Sequence, residues 1–258
     1  MTIPGRFEGK VVAVTGAARG FGEAIARRFA AEGARVVLGD VDEAAGTAVV
    51  RSIEAAGGRA RFRLCDVAAA ADVEALVGAA VEGEGGLDGM VNNAGFSHTS
   101  MPLWDLPEAD FDRQIAVNFK GVFLGCKYAV PALRARGGGV IVNTASIGAR
   151  RPRRGVTVYN ATKGAVLTLT RGLAGEVARD GIRVCAVCPV AADTAFMLTA
   201  RGGAPLDDRT RESLVRGIPL GRLCAPDDVA GAVTFLASPD AAFLTGVCLD
   251  VDGGRSIE

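Results

Sequence analysis

An α/β domain on one doubly wound parallel sheet of about seven strands, with helices on both faces, is the fold this sequence predicts. Three observations carry the prediction. Short β-branched runs alternate with amphipathic stretches from one end of the chain to the other, the pattern of repeated βαβ units. The first run leads at once into a glycine-rich turn and then a helical stretch. No linker rich in Pro, Gly or Ser and no internal repeat interrupts the series, so residues 1–258 read as a single domain.

Composition narrows the function classes. The 258 residues are 49% hydrophobic and 22% charged, with 29 basic and 29 acidic side chains. A balanced charge gives no footprint for nucleic acid or an anionic membrane surface. No run of apolar residues is long enough to span a bilayer. The first six residues lack the apolar core of a signal peptide, so a cytoplasmic location is expected. The six cysteines are scattered and read as free buried thiols. Cys185 and Cys188 have C-x-x-C spacing, but within a strand-like run such positions face opposite ways, and no metal site is expected.

The elements follow in order. Lys10 to Thr15 is the first strand. The turn Gly16-Ala17-Ala18-Arg19-Gly20-Phe21-Gly22 then opens a helix with apolar residues Ala24, Ile25 and Phe29. Glycines allow a pyrophosphate to approach the backbone, and the helix N-terminus offers unpaired N–H groups to it. Residues 35–39 form the second strand, and Asp40 ends it. A carboxylate there suits a ribose 2′-hydroxyl and repels a 2′-phosphate, which favours NAD over NADP. Arg19 points the other way, since a cation in the turn could reach a 2′-phosphate. The plain alternative for Asp40 is a helix N-cap.

A helix over 43–56 leads to a third strand over 60–64, followed by Asp66 and Val67. Asp66 either accepts from an adenine amino group or caps the next helix, which is predicted to run from about 71 to 81. A fourth strand, 87–91, ends in Asn92-Asn93-Ala94-Gly95. Such asparagines can bond backbone across neighbouring strands while small residues keep a cleft open. His98, the single histidine, sits in the loop beyond and reads as a surface or substrate-contact residue. Residues 109–136 have helical periodicity, with Asn118 breaking the apolar stripe, which predicts a kink or a bound water. The fifth strand, 140–144, delivers Ser146.

Arg150, Arg151, Arg153 and Arg154 follow, and the residues leave three readings open: a solvated turn, an attractor of anionic substrate, or a subunit contact. The next helix carries Tyr159 and Lys163, one turn apart on one face. A nearby cation favours a phenolate, and lowering a tyrosine from ~10 to ~7 takes roughly 4 kcal/mol. A sixth strand spans 182–187 and ends at Cys188-Pro189; a mixed segment, 190–217, reads as a mobile lid. A helix over 226–236 and a strand over 247–251 complete the sheet. Phe96, Met101, Trp104, Phe196, Met197 and Leu198 are expected to wall the pocket.

Taken together, Thr15-Gly16 with Gly20 and Gly22, Asp40, Asp66-Val67, Asn92-Asn93-Ala94-Gly95, Asn118, Ser146, and Tyr159 with Lys163 resemble the short-chain dehydrogenase/reductase family over nearly the whole chain. The resemblance implies a Rossmann-type fold and a hydride transfer between NAD(H) and a secondary alcohol or ketone. Tyr159 would be general acid/base and Ser146 would bond the reacting oxygen. Lys163 would lower the tyrosine pKa and hold the nicotinamide ribose, and Asn118 would hold a relay water. The implied cofactor-binding positions are Gly16, Arg19, Gly20, Phe21, Gly22, Asp40, Asp66, Val67, Asn93, Ala94, Gly95, Tyr159, Lys163, Pro189, Ala192 and Thr194, with Pro189 and Thr194 embracing the nicotinamide. Val190 stands where the family has glycine, which leaves the local turn open. Residues 226–254 resemble the family's subunit contacts, so a homotetramer or a homodimer is expected. An NADPH-dependent ketoreductase and a non-catalytic dinucleotide-binding protein remain the alternative readings.

Overall fold

The chain enters its core at once through β1 (Val11–Thr15), which is buried along its whole length. The structure, a computed structural model, describes residues 2–257. After β1 come α1 (Gly20–Ala31), β2 (Arg35–Asp40), α2 (Glu43–Ala55), β3 (Arg59–Leu64), α3 (Ala70–Glu84) and β4 (Gly89–Asn92). The second half holds α4 (Glu108–Gln114), α5 (Gly121–Arg136), β5 (Gly139–Thr144), α6 (Thr157–Val177) and β6 (Ile182–Pro189). Then follow α7 (Ala195–Thr199), α8 (Asp208–Arg216), α9 (Pro226–Ala237) and β7 (Cys248–Val251).

The seven strands are all parallel, in the order β3-β2-β1-β4-β5-β6-β7. Both faces are covered, which is why the central strands read as continuous apolar runs. In β1, Val11 and Ala13 join a core with Leu76, Leu133 and Leu167 from α3, α5 and α6. Val12 and Val14 join the opposite core, with Phe29, Ile53 and Val233 from α1, α2 and α9. Cys185 belongs to one core and Cys188 to the other, so the C-x-x-C pair is split by the sheet, as strand geometry requires.

The helical stretch around Asn118 is not simply kinked. Residues Ile115–Lys120 form a π turn between α4 and α5, inserting one wider loop of backbone into an otherwise continuous helix. Apolar periodicity cannot distinguish such a turn from an α-helix. The 190–217 segment contains two short helices, α7 and α8. Val190 has no positive φ; its N–H bonds Val251 O and extends the β6–β7 pairing, so valine is accommodated without strain.

Candidate active site

Strand order runs outward in both directions from β1, with β2 on one side and β4 on the other. A crevice opens at the carboxyl ends of two such strands. Here it is a cleft of about 1080 Å³. All the predicted catalytic and cofactor positions line it except Gly22 and Asn118.

Those two act from behind the wall. A Cβ on Gly22 would lie 1.9 Å from Gly16 O, so α1 can pack against the turn only through glycine. Gly16 has φ +64, and a Cβ on it would strike Ala94 Cα at 2.7 Å. The turn is stitched to β4 by Asn93, whose Nδ2 donates to Thr15 O and Gly16 O at 3.0 and 3.1 Å. Thr15 Oγ1 accepts from the N–H groups of Asn93 and Ala94. Arg19 precedes α1 and no side chain caps that helix, so its first N–H groups face the cleft without a side-chain acceptor.

Asp40 is not a helix cap. Its Oδ2 accepts from Ala18 N–H at 2.9 Å and its Oδ1 from Asp42 N–H at 3.1 Å, which holds the carboxylate beside the glycine turn. Asp42 caps α2 through Ala45 N–H and pairs with Arg19. The Ala45 N–H and the Arg19 guanidinium both hold the Asp42 carboxyl below its ordinary range. Arg19 is thereby engaged with a carboxylate at this end of the cleft. Asp66 caps nothing either: Oδ1 accepts from Ala68 N–H, and α3 begins without a side-chain cap.

At the other end stand Ser146, Tyr159 and Lys163. Ser146 is brought in at the tip of β5, where its Oγ accepts from Gly148 N–H at 3.0 Å. Burial pushes the Tyr159 phenol above its usual value, while the Ser146 hydrogen bond and the charge of Arg153 pull it back. Lys163 is 2% exposed and donates to Thr144 O at 2.7 Å. Its burial brings the ammonium down to about 8, and its Nζ lies 5.9 Å from the Tyr159 ring centre. Within the chain, the Arg153 guanidinium is the cation that draws the phenol down against the effect of burial.

Asn118 is fully buried, and its amide bonds the Phe96 backbone and, through Nδ2, Thr162 Oγ1 at 3.3 Å. Oδ1 accepts from Phe96 N–H at 2.7 Å and Nδ2 donates to Phe96 O at 2.8 Å. It clamps the 96 loop to the π turn. Gly95 sits between this clamp and the lysine: a Cβ there would lie 3.5 Å from Asn118 Oδ1 and 3.6 Å from Lys163 Nζ.

Of the expected wall residues, Phe96, Phe196 and Met197 line the cleft. The Phe196 ring, from α7, lies 5.8 Å from that of Tyr159. Met101, Trp104 and Leu198 do not; Trp104 is 85% exposed and Leu198 lines a small neighbouring pocket. His98 is buried rather than on the surface, with Nδ1 unpartnered. Sequence reasoning missed Arg113 and Leu214, which do line the cleft. It also missed a buried polar ladder, Asn92 to Asn143 to Thr170, beneath the site. The paired strand-end asparagines were its only sequence signal.

Comparison with known proteins places this geometry. The family profile described as enoyl-(acyl carrier protein) reductase matches residues 16–256. The 4-formylbenzenesulfonate dehydrogenase of Comamonas testosteroni is 47% identical over 96% of this chain and 98% of its own. The cis-4-hydroxycyclohexanecarboxylate dehydrogenase of Sinomonas cyclohexanicum is 42% identical over 96% and 97%. Among solved structures, the 3-ketoacyl-(acyl-carrier-protein) reductase of Brucella melitensis complexed with NADH superposes with a TM-score of 0.90 at 43% identity, covering 97% of this chain and 99% of that one.

Proposed function

The chain belongs to the short-chain dehydrogenase/reductase family, and on that premise we propose that it is an NAD-dependent dehydrogenase of a ring-borne secondary alcohol, with Tyr159 as its general acid/base. The observation that carries the reading is the pairing of two ends of one cleft: Ser146, Tyr159 and Lys163 at one, Asp40 beside an uncapped helix at the other.

The residues fit a nicotinamide dinucleotide. The open N–H groups of α1 suit a pyrophosphate, Asp40 suits an unphosphorylated ribose, and Lys163 borders the region where the second ribose would lie. The pairing of Arg19 with Asp42 supports NAD over NADP, since it draws that guanidinium toward a carboxylate of the chain. A solved neighbour is named as complexed with NADH, in keeping with a nicotinamide dinucleotide. When bound, the oxidised cofactor supplies the hydride acceptor and a positive ring. The chain's own residues do the rest. Ser146 bonds the reacting oxygen and orients it toward the phenol. Tyr159 takes the hydroxyl proton, or returns it when a ketone is reduced. Lys163, buried and near neutrality, holds or passes a proton at Nζ. Thr194 stands across the turn from Gly20, with its Cβ 3.6 Å from where a glycine Cβ would lie, so the lid begins over the cofactor-binding turn. Both curated relatives act, by their names, on a six-membered ring compound, which suits the apolar wall of Phe96, Phe196 and Met197.

A homotetramer, or a homodimer, also belongs to the proposal. Phe243 and Phe235 near β7 and Phe111 and Phe123 on α4 and α5 are large apolar side chains left exposed. A cytoplasmic location is in keeping with six free thiols. No helix among the described residues is long and apolar enough to cross a membrane.

The test is steady-state oxidation of a panel of cyclic secondary alcohols with NAD, comparing wild type with Tyr159→Phe. The variant should lose about 10²–10⁴ in kcat. Equal rates would end the mechanism.

A further inference from the structure

The cleft is electrostatically divided. Its lining carboxylates, Asp40, Asp42 and Asp66, all lie at the adenosine end. The substrate end is lined by four guanidinium groups, Arg113, Arg151, Arg153 and Arg255, and by no carboxylate among the described residues. Three of the four have something to do within the chain. Arg151 Nη1 donates to Arg255 O at 2.7 Å, and Arg255 Nη1 donates to Gly217 O at 2.9 Å. The Arg113 guanidinium stacks over the Phe96 ring at 4.1 Å. Arg150, just outside the cleft, pairs with Asp250 and so staples the loop to β7.

The Arg153 guanidinium has no hydrogen bond and no ion pair among the described residues. Its backbone, in contrast, is fixed: Arg153 O accepts from Asn160 Nδ2 at 2.8 Å, and Asn160 is the buried residue next to Tyr159 on α6. An unpaired cation is thus anchored beside the general acid/base, close enough to favour its phenolate. A solvated turn would need no such anchor and would not crowd like charges on one wall, where they repel. The cofactor's own pyrophosphate does not answer for this charge, because its seat is the α1 terminus at the tip of β1.

We propose that the substrate carries an anionic oxyacid group, a carboxylate or sulfonate, on an apolar body, and that Arg153 receives it. The inference rests on the dehydrogenase reading, since it takes Tyr159 to mark the reacting carbon. Phe96, Phe196 and Met197 hold the apolar body, and the oxyacid group reaches outward to the guanidinium, which offers a planar pair of donors matched to two oxygens. Arg153 is accordingly a specificity-determining residue, and the exposed position of its side chain is where an anion arriving from water would meet it first.

The experiment uses the full chain loaded with NADH and titrated calorimetrically with benzoate and with its neutral isostere benzamide. In parallel, kcat/KM is measured with NAD for 4-hydroxycyclohexanecarboxylate and for its methyl ester. Benzoate should bind about tenfold tighter than benzamide, and the acid should be preferred over the ester by a similar factor, mainly through KM. Arg153→Gln should bring both ratios close to one, and Arg153→Lys should restore part of them. Equal binding of the two probes, or ratios untouched in Arg153→Gln, overturns the proposal. Should that variant fail to bind NADH, the wild-type titration decides: benzoate affinity must weaken as salt is raised while benzamide affinity does not. Preferential benzoate binding with no turnover of either alcohol keeps the anion receptor and removes the dehydrogenase reading. Turnover of acid and ester at equal kcat/KM does the reverse.

Discussion

Replacing Asp40 by serine tests the cofactor assignment most directly. The Asp40 carboxylate is fixed by two backbone N–H groups, from Ala18 in the glycine turn and from Asp42, so it cannot swing away from an added phosphate. At ~4 Å one pair of like charges costs about 1 kcal/mol in water and about 4 kcal/mol at an effective dielectric near 20. The cleft is open to solvent at this end, which places the penalty between those limits, about fivefold to a thousandfold in affinity. Arg19 does not relieve it, because Asp42 already holds that guanidinium. Wild type should therefore bind NADH at least fivefold tighter than NADPH when both are titrated by cofactor fluorescence. In Asp40→Ser the NADPH affinity should rise by about ten- to a hundredfold, while NADH affinity falls by about fivefold as the ribose acceptor is lost. Arg19→Ala should move the ratio little. Equal wild-type affinities, or a ratio unchanged in Asp40→Ser, would refute the electrostatic argument.

Two further outcomes follow from Lys163 and its surroundings. The Lys163 ammonium stands at about 8 against 10.5 for an ordinary lysine, so the unfolded chain binds the extra proton between those values and stability must rise with pH across that window. The gain is about 3 kcal/mol by pH 10.5, and Lys163→Met should lack it; urea unfolding at pH 7.5 and 10.5 reads the difference between the two proteins, in which the other titrating groups cancel. Gly95→Ala should fold normally, since Gly95 has no positive φ and the new Cβ meets Asn118 Oδ1 and Lys163 Nζ only at ordinary contact distance. Its methyl nevertheless fills the gap between those two atoms, so kcat should fall about tenfold while thermal stability holds or rises slightly, and an unchanged kcat would show that nothing passes through that gap.

The parts of the molecule that could be read from sequence are those fixed by local spacing. β1, the glycine turn and α1 follow from a β-branched run, three glycines and a helical stripe, each within seven or eight residues. Asp40 could be placed because a strand end dictates where its side chain emerges. What escaped depends on contacts between distant segments. The π turn around Asn118 keeps the periodicity of a helix, so its widening is invisible until the Asn118 amide is seen clamped to Phe96. Trp104 lies in a segment expected to wall the pocket, yet it is exposed; His98 reads as a surface or substrate-contact residue, yet it is buried. The arginine run was ambiguous for the same reason. Whether each guanidinium meets Asp250, Arg255 O or open cleft is decided by where the C-terminal segment lies, a hundred residues on.

Burial acts on Tyr159 and Lys163 in opposite chemical directions with one electrostatic result. It raises the phenol and lowers the ammonium, so each shifts toward its neutral form, and with the ammonium at about 8 the lysine still carries its proton at neutral pH. The phenol's strength as a base then depends on the charges that face it. Arg153 supplies a standing contribution, and on the proposed reading the positive ring of the oxidised cofactor would add another. The same tyrosine then meets two different fields. Beside an oxidised ring it is pushed toward phenolate and suited to take a proton from an alcohol; beside a reduced, neutral ring it stays a phenol and is suited to give one to a ketone. Direction would be set by which cofactor form is bound, and the tyrosine needs no change of partner to serve both.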